Sequence, residues 1–212
     1  MTSRAALLAT RSAGKLRELR PLFENAGIDV IDLTDAGIVE TAAEDALEVF
    51  TTFEENALAK ARYFHARSGR PTFADDSGLA VVVLGGAPGV LSKRWSRRAD
   101  LSGQALDDEN NRVLLERLRG ESDRRASYVC AAAYVDDTRS LVRVGESWGS
   151  IVDSPSGGNG FGYDPYFWSE ELGVTFADAS REAKERVSHR GRAFRALLSG
   201  LGVGAWQQSP AF

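Results

Sequence analysis

Thiols and imidazoles are scarce in this sequence, which has one cysteine, Cys130, and two histidines, His65 and His189. A single cysteine excludes an intramolecular disulfide, and its place in the apolar run Tyr128 to Val135 predicts a buried structural thiol. The histidines fall on separate predicted helices, which argues against a His-rich zinc centre. Positive charge is also short: 26 Lys and Arg against 30 Asp and Glu give a net charge of -4. A surface that neutralises a nucleic-acid backbone needs clustered cations, so no nucleic-acid partner is expected. Long apolar runs are missing too. The stretch Ala5 to Ala9 is too brief for a membrane span or a signal-peptide core, which predicts no membrane association and a cytoplasmic location.

What is present is an ordinary globular balance, 43% hydrophobic and 26% charged residues over 212 positions. It predicts one compact domain over 1–212 with two lobes. Ala5 to Ala9 reads as a buried strand of a mostly parallel sheet. A helix follows, with Leu16, Leu19, Leu22 and Phe23 at helical spacing and Pro21 expected to disturb its middle. Val30 to Leu33 gives a second strand, and an acidic, less regular stretch runs to Thr51. Thr52 and Glu55 have capping-box spacing and open a helix reaching about Arg67. Thr72 to Ala74 and Leu79 to Leu84 read as two short strands, with Asp75 and Asp76 in the turn between them. Further on come a helix at Ala105 to Leu118, a hairpin of strands at Ala126 to Val135 and Leu141 to Val152, and a strand near Tyr166 to Trp168. Two closing helices, near Arg181 to Val187 and Gly191 to Leu201, complete an α/β pattern with a hairpin-rich second half.

Several segments carry chemistry. Thr10-Arg11-Ser12-Ala13-Gly14-Lys15 lies where a strand hands over to a helix, and free N–H groups at a helix start attract phosphate, with Lys15 adding charge. Lys60 projects onto the buried stripe of Phe53, Ala57 and Phe64, so it needs an anionic partner. Asp75 and Asp76 are adjacent hard-oxygen donors of the kind magnesium prefers. Glu48 is placed to complete a metal shell, and Glu40 and Glu44 are rivals that spacing does not exclude. The loop from Gly157 to Asp164 combines flexible backbone with Phe161, Gly162 and Tyr163, suited to stacking a base. Ser188-His189-Arg190 forms a polar cluster, with Ser188 as the cap of the last helix.

In this order the blocks Thr10 to Lys15, Thr52 to Ala57, Ala74 to Leu79, Gly85 to Val90, Gly160 to Pro165 and Ser188 to Gly191 resemble the inosine triphosphate pyrophosphatase family. The resemblance spans Leu8 to Leu201. It implies an elongated mixed α/β sheet with flanking helices, two lobes around a central cleft, and a homodimer. The implied activity is Mg2+-dependent cleavage of the non-standard purine nucleoside triphosphates ITP, dITP and XTP to the monophosphate and pyrophosphate. Carried over by motif, Thr10, Arg11, Ser12, Ala13, Gly14, Lys15 and Lys60 would hold phosphates. Glu48 and Asp76 would bind the metal, with Asp76 also the proton acceptor and Asp75 its support. Ser77, Phe161, Gly162, Tyr163, Asp164, Lys184, His189 and Arg190 would line the nucleotide site, Phe161 by stacking and the His-Arg pair near the base. Ser12 stands where this family usually has Asn, Phe50 where Gly is frequent, and Leu91 where an aromatic is frequent.

Overall fold

The apolar run at the start of the chain forms a fully buried strand, β1 (Ala6–Leu8), in a computed structural model that describes residues 5–203. Strands β2 (Val30–Asp32) and β3 (Thr72–Val81) flank it, both parallel to it. Strands β4 (Arg125–Val135), β5 (Ser140–Ile151), β6 (Phe167–Ser169) and β7 (Val174–Thr175) follow antiparallel, giving an open sheet of order β2-β1-β3-β4-β5-β6-β7. The hairpin between β4 and β5 is closed by Asp136, whose Oδ1 accepts the N–H groups of Thr138 and Arg139 at 2.8 and 2.9 Å.

Helices cover both faces. Helix α1 (Ala13–Asn25) and helix α5 (His189–Gly200) pack on one, around Leu19, Phe23, Phe73 and Phe194. Helix α2 (Phe53–Ser68) packs on the other, through Ala57, Ala61 and Phe64. A separate core at the far end joins Leu79 and Val81 to helix α3 (Gly103–Arg117) and to Phe167 and Phe176. Helix α4 (Arg181–Val187) leads directly into α5. The 11- and 12-residue strands β4 and β5 run from the paired cores at the β1 end to the separate core at the far end. Gly145 lets α5 lie close on β5, because a Cβ there would strike the His189 carbonyl.

The helix start at Thr52 is borne out, but as half of a capping box: Thr52 Oγ1 accepts from the Glu55 N–H at 3.2 Å, while the Glu55 carboxylate accepts from the Thr52 hydroxyl at 2.7 Å and not from its backbone N–H. Pro21, expected to disturb α1, sits inside an unbroken helix. Its missing N–H deprives only the Arg17 carbonyl, and Arg17 is exposed, so water can satisfy that oxygen.

The pair Asp75 and Asp76 does not lie in a turn. The two predicted short strands are one ten-residue strand, β3, with Asp75 opposite Ala132 and Asp76 opposite Ala131, and residues 82–84 form a short 3-10 turn. Gly78, a turn signal by sequence, serves a close approach instead. A Cβ there would run into the Gly89 carbonyl and the Ser92 hydroxyl, the latter binding the Leu79 N–H at 2.8 Å. Gly78→Ala should therefore cost about 1–3 kcal/mol from overpacking, read as a lower urea midpoint with an unchanged m-value.

Candidate active site

The strand order places the site. From β1 the chain leaves to β2 on one side and returns to β3 on the other, so connections diverge at the carboxyl end of β1, where open α/β sheets form a crevice. Thr10 to Lys15 sits there. Thr10 Oγ1 accepts from the Ser12 N–H at 3.1 Å, and Ser12 caps α1 by accepting from the Lys15 N–H at 3.3 Å.

Pairing between β1 and β3 ends at Phe73, which leaves the Asp75 carbonyl open on that side. Two lysines converge on it. Lys60 Nζ from α2 donates to Asp75 O at 3.0 Å, and Lys15 Nζ from α1 lies 3.5 Å from the same oxygen and 2.9 Å from Asp75 Oδ2. Alternation along β3 sends the two carboxylates to opposite faces. Asp75 faces α1 and α5, where Arg190 Nε meets its Oδ2 at 3.2 Å. Asp76 faces α2, where Asn56 Nδ2 donates to its Oδ2 at 2.9 Å, while the Ser77 N–H holds Oδ1 at 2.9 Å.

Their environments divide their acidities. Burial works to raise the Asp75 pKa, but Lys15, Arg190 and Lys60 outweigh it and hold the carboxyl far below the usual range. For Asp76 burial wins over Lys15 and Lys60, helped by repulsion from Glu48, and its pKa is raised. Glu48, at the end of a 3-10 segment Ala42–Glu48, is ion-paired with Lys60, so the lysine has the partner its buried position required. The rival Glu44 is taken up elsewhere, in a bidentate pair with Arg11 at 2.9 and 3.1 Å, and Glu40 is exposed. Arg11 also donates to the Ile38 carbonyl, so it faces the acidic segment and not the aspartates.

A hard divalent cation fits these residues. Asp75 meets Lys15 and Arg190 through Oδ2, and its buried Oδ1 has no hydrogen-bond partner among the described residues, whereas Glu48 and Asp76 are carboxylates on the α2 side whose mutual repulsion such an ion would relieve. Among the described residues no group of three or more His, Cys, Asp or Glu side chains could hold a metal by itself.

Beyond Arg190 lies a cavity of about 320 Å³, lined by Gly14, Glu18, Phe161, Phe176, Lys184 and Arg190 among others. Phe161 lies over the first turn of α1, and a Cβ on Gly14 would meet its ring at 2.6 Å. Lys184 Nζ binds Asp164 Oδ2 at 2.6 Å and Glu18 Oε1 at 2.7 Å, and Arg190 pairs with Glu18 and donates to Ser77 Oγ at 2.7 Å. Asp164 also accepts the Phe161 N–H at 2.8 Å, fixing the loop. Gly162 is tied to α3, its N–H to Asp107 and its carbonyl to Asn111, both at 2.9 Å. Ser77, Gly162, Tyr163, Asp164 and His189 are not among the cavity lining, although Ser77 and Asp164 bind Arg190 and Lys184, which are. Tyr163 is buried with its hydroxyl on the Ser92 carbonyl at 2.8 Å, and His189 stacks on Tyr128 with centroids 4.5 Å apart. Burial, then the Arg190 charge, pushes the His189 pKa well below its ordinary value, so that ring is neutral.

Glu18 was missed by sequence reasoning, although an acid one turn after Lys15 on the same helix was visible. Burial works to raise its pKa, but Lys184 and Arg190 prevail and lower it. A carboxyl with a depressed folded pKa stabilises the fold above its unfolded value, and that stability is lost as pH falls through the folded one. Glu18→Gln should therefore lower stability at neutral pH and flatten its loss across the acidic carboxylate range, measured by urea unfolding at successive pH values. The loss should be under the roughly 3–5 kcal/mol of an orphaned buried charge, because Lys184 keeps Asp164 and Arg190 keeps Asp75.

Fold and cluster together define an α/β protein with a charged crevice at the ends of parallel strands, the position where such sheets receive ligands. The Ham1 family model matches residues 6–200, and the chain belongs to this family. The resemblance drawn from the six blocks is thereby borne out. A dITP/XTP pyrophosphatase of Burkholderia pseudomallei is 46% identical over 199 residues, 92% of each chain. One from Bordetella parapertussis is 44% identical over 201 residues, 93% of this chain and 91% of the relative. Among solved structures, a HAM1 protein from Coxiella burnetii superposes with a TM-score of 0.80 at 34% identity, covering 94% of this chain and 99% of that one. A nucleoside-triphosphatase, or dITP/XTP pyrophosphatase, from Mycobacterium abscessus gives 0.70 at 40% identity, covering 93% and 100%.

Proposed function

We propose that this chain hydrolyses the non-standard purine nucleoside triphosphates dITP, XTP and ITP to the monophosphate and pyrophosphate, with Mg2+, clearing them from the nucleotide pool. The observation that carries the reading is the convergence of Lys15 and Lys60 on the peptide oxygen between two buried aspartates of opposite acidity. Relatives matching over nine-tenths of both chains carry the name dITP/XTP pyrophosphatase, which supports the substrate class.

In this mechanism the triphosphate lies across the start of α1, where N–H groups of the Thr10 to Lys15 turn and the two lysines face its charge. Asp76, raised in pKa and in no ion pair among the described residues, accepts the proton of the water that attacks the α-phosphorus. Asp75 stays ionised and holds Lys15 and Arg190 in place. Glu48 and Asp76 would hold Mg2+, which supplies charge neutralisation on the phosphoryl oxygens. The base enters the cavity beside Phe161, where Lys184 and Arg190 offer donors to a 6-oxo group, whereas the amino group of adenine would set donor against donor. The same reading carries a homodimeric, cytoplasmic enzyme; among the described residues no helix is long and apolar enough to cross a membrane.

Pyrophosphate release from dITP, XTP, ITP and ATP, with and without Mg2+, tests the reading. Fast release from the 6-oxo substrates alone is expected, abolished by chelation; orthophosphate as the product, or equal use of ATP, would overturn it. The cavity makes a further demand. Gly14→Ala should displace Phe161 and raise KM for dITP about tenfold with kcat little changed, as uniform binding is lost.

A further inference from the structure

Asn56 has no exposure and no role in the chemistry above, yet its carboxamide touches two of the parts that chemistry needs. Its Oδ1 accepts the Phe50 N–H at 2.9 Å. Its Nδ2 donates to the Phe50 carbonyl at 3.3 Å and to Asp76 Oδ2 at 2.9 Å. The orientation is fixed by chemistry: both groups facing Nδ2 are acceptors, so a reversed amide would set oxygen against oxygen twice. Building on the proposed reaction, we infer that Asn56 is a positioning residue that locks the Asp76 carboxylate in register with the segment carrying Glu48.

The argument rests on what else holds those groups. Among the described residues Asp76 has one other hydrogen bond, from the adjacent Ser77 N–H to Oδ1, so Asn56 is the long-range hold on the carboxylate. The Glu48 segment is a 3-10 turn held by Lys60 on the Glu48 carboxylate, by Arg11 on Glu44, and by the half-exposed Arg94, which donates to the Glu48 carbonyl at 2.6 Å. Asn56 adds a buried tie to the main chain at residue 50, just past that turn. It rises from the first turn of α2, one turn before Lys60, so a single helix end sets the Asp76 carboxylate, the Phe50 backbone and the Glu48 partner. Because it grips only the main chain of residue 50, the Phe50 side chain is free of the contact and stands 42% exposed.

Two variants test this. Asn56→Ala removes all three bonds, and Asn56→Leu removes them while roughly keeping the volume. Both should lower kcat for dITP at least tenfold while KM changes less than threefold, since nucleotide contacts are untouched. The Mg2+ concentration for half-maximal rate should rise at least fivefold. Mn2+ affinity in the presence of pyrophosphate, followed by electron paramagnetic resonance without turnover, should weaken alike in Asn56→Ala. Combining Asn56→Ala with Glu48→Gln should be less than additive. Wild-type kcat and Mn2+ affinity per folded molecule, or a loss confined to KM, would overturn the assignment. So would failure of both variants to fold, which would make Asn56 purely structural. A wild-type protein that releases no pyrophosphate from any purine triphosphate would instead strike the proposed reaction itself.

Discussion

Asp76→Asn is expected to leave the fold intact and to cut pyrophosphate release from dITP by about 10²–10⁴-fold, the range for loss of a positioned general base. The stability half of this expectation follows from the raised pKa of Asp76: burial is its largest cause, so a neutral amide of the same shape removes an unfavourable buried charge. The amide loses little in return. Its oxygen can still accept from Asn56 Nδ2, and only the Ser77 N–H bond is compromised. The catalytic half follows because an amide accepts no proton and binds a hard cation poorly. Thermal melting alongside steady-state kinetics separates the two. Near wild-type turnover in a folded variant would remove Asp76 from the mechanism.

Lys60→Ala should lower kcat/KM for dITP by about 10²–10³-fold, as for one lost donor in a water-excluded charge site. Lys60 binds the Asp75 carbonyl and pairs with Glu48, so its loss leaves a buried oxygen short of a donor and a carboxylate without its counter-charge. Burial works to lower the Lys60 pKa, but Glu48 and the aspartates outweigh it, so the ammonium is charged throughout the working range. Lys60→Arg is expected to recover little, because a planar fork cannot replace a compact ammonium in this space. An unchanged kcat/KM in Lys60→Ala would make it a structural ion pair.

Much of this arrangement was legible in the chain. The strand-to-helix turn at Thr10 to Lys15 was visible from an apolar run broken at a capping residue, and a lysine on an apolar helical stripe announced a missing partner. The acidic segment offered three glutamates for that place, and only the tertiary arrangement separates Glu48 on Lys60 from Glu44 on Arg11. Asp75-Asp76-Ser77-Gly78 misled because each residue favours turns in isolation, whereas ten rungs of pairing with β4 hold it extended. That difference matters, since a strand sends the two carboxylates to opposite faces and so gives them different acidities. Glu18 was not singled out because its partner is distant, Arg190 lying 172 positions away, and Asn56 was not because a lone amide near a helix start carries no signal of the carboxylate it meets. The stack of His189 on Tyr128 was not legible, because it depends on the first turn of α5 being buried against the sheet.

The lone thiol has a practical corollary. Cys130 is wholly buried mid-sheet on β4 opposite Ser77, with its sulfur 3.8 Å from Asp75 Oδ2, and burial raises its pKa. In the native state it is therefore inert to alkylating reagents. Its side chain points off the sheet into the core beneath α1 and α5, so labelling requires those helices to lift, and the alkylation rate of the unmodified protein clocks that opening.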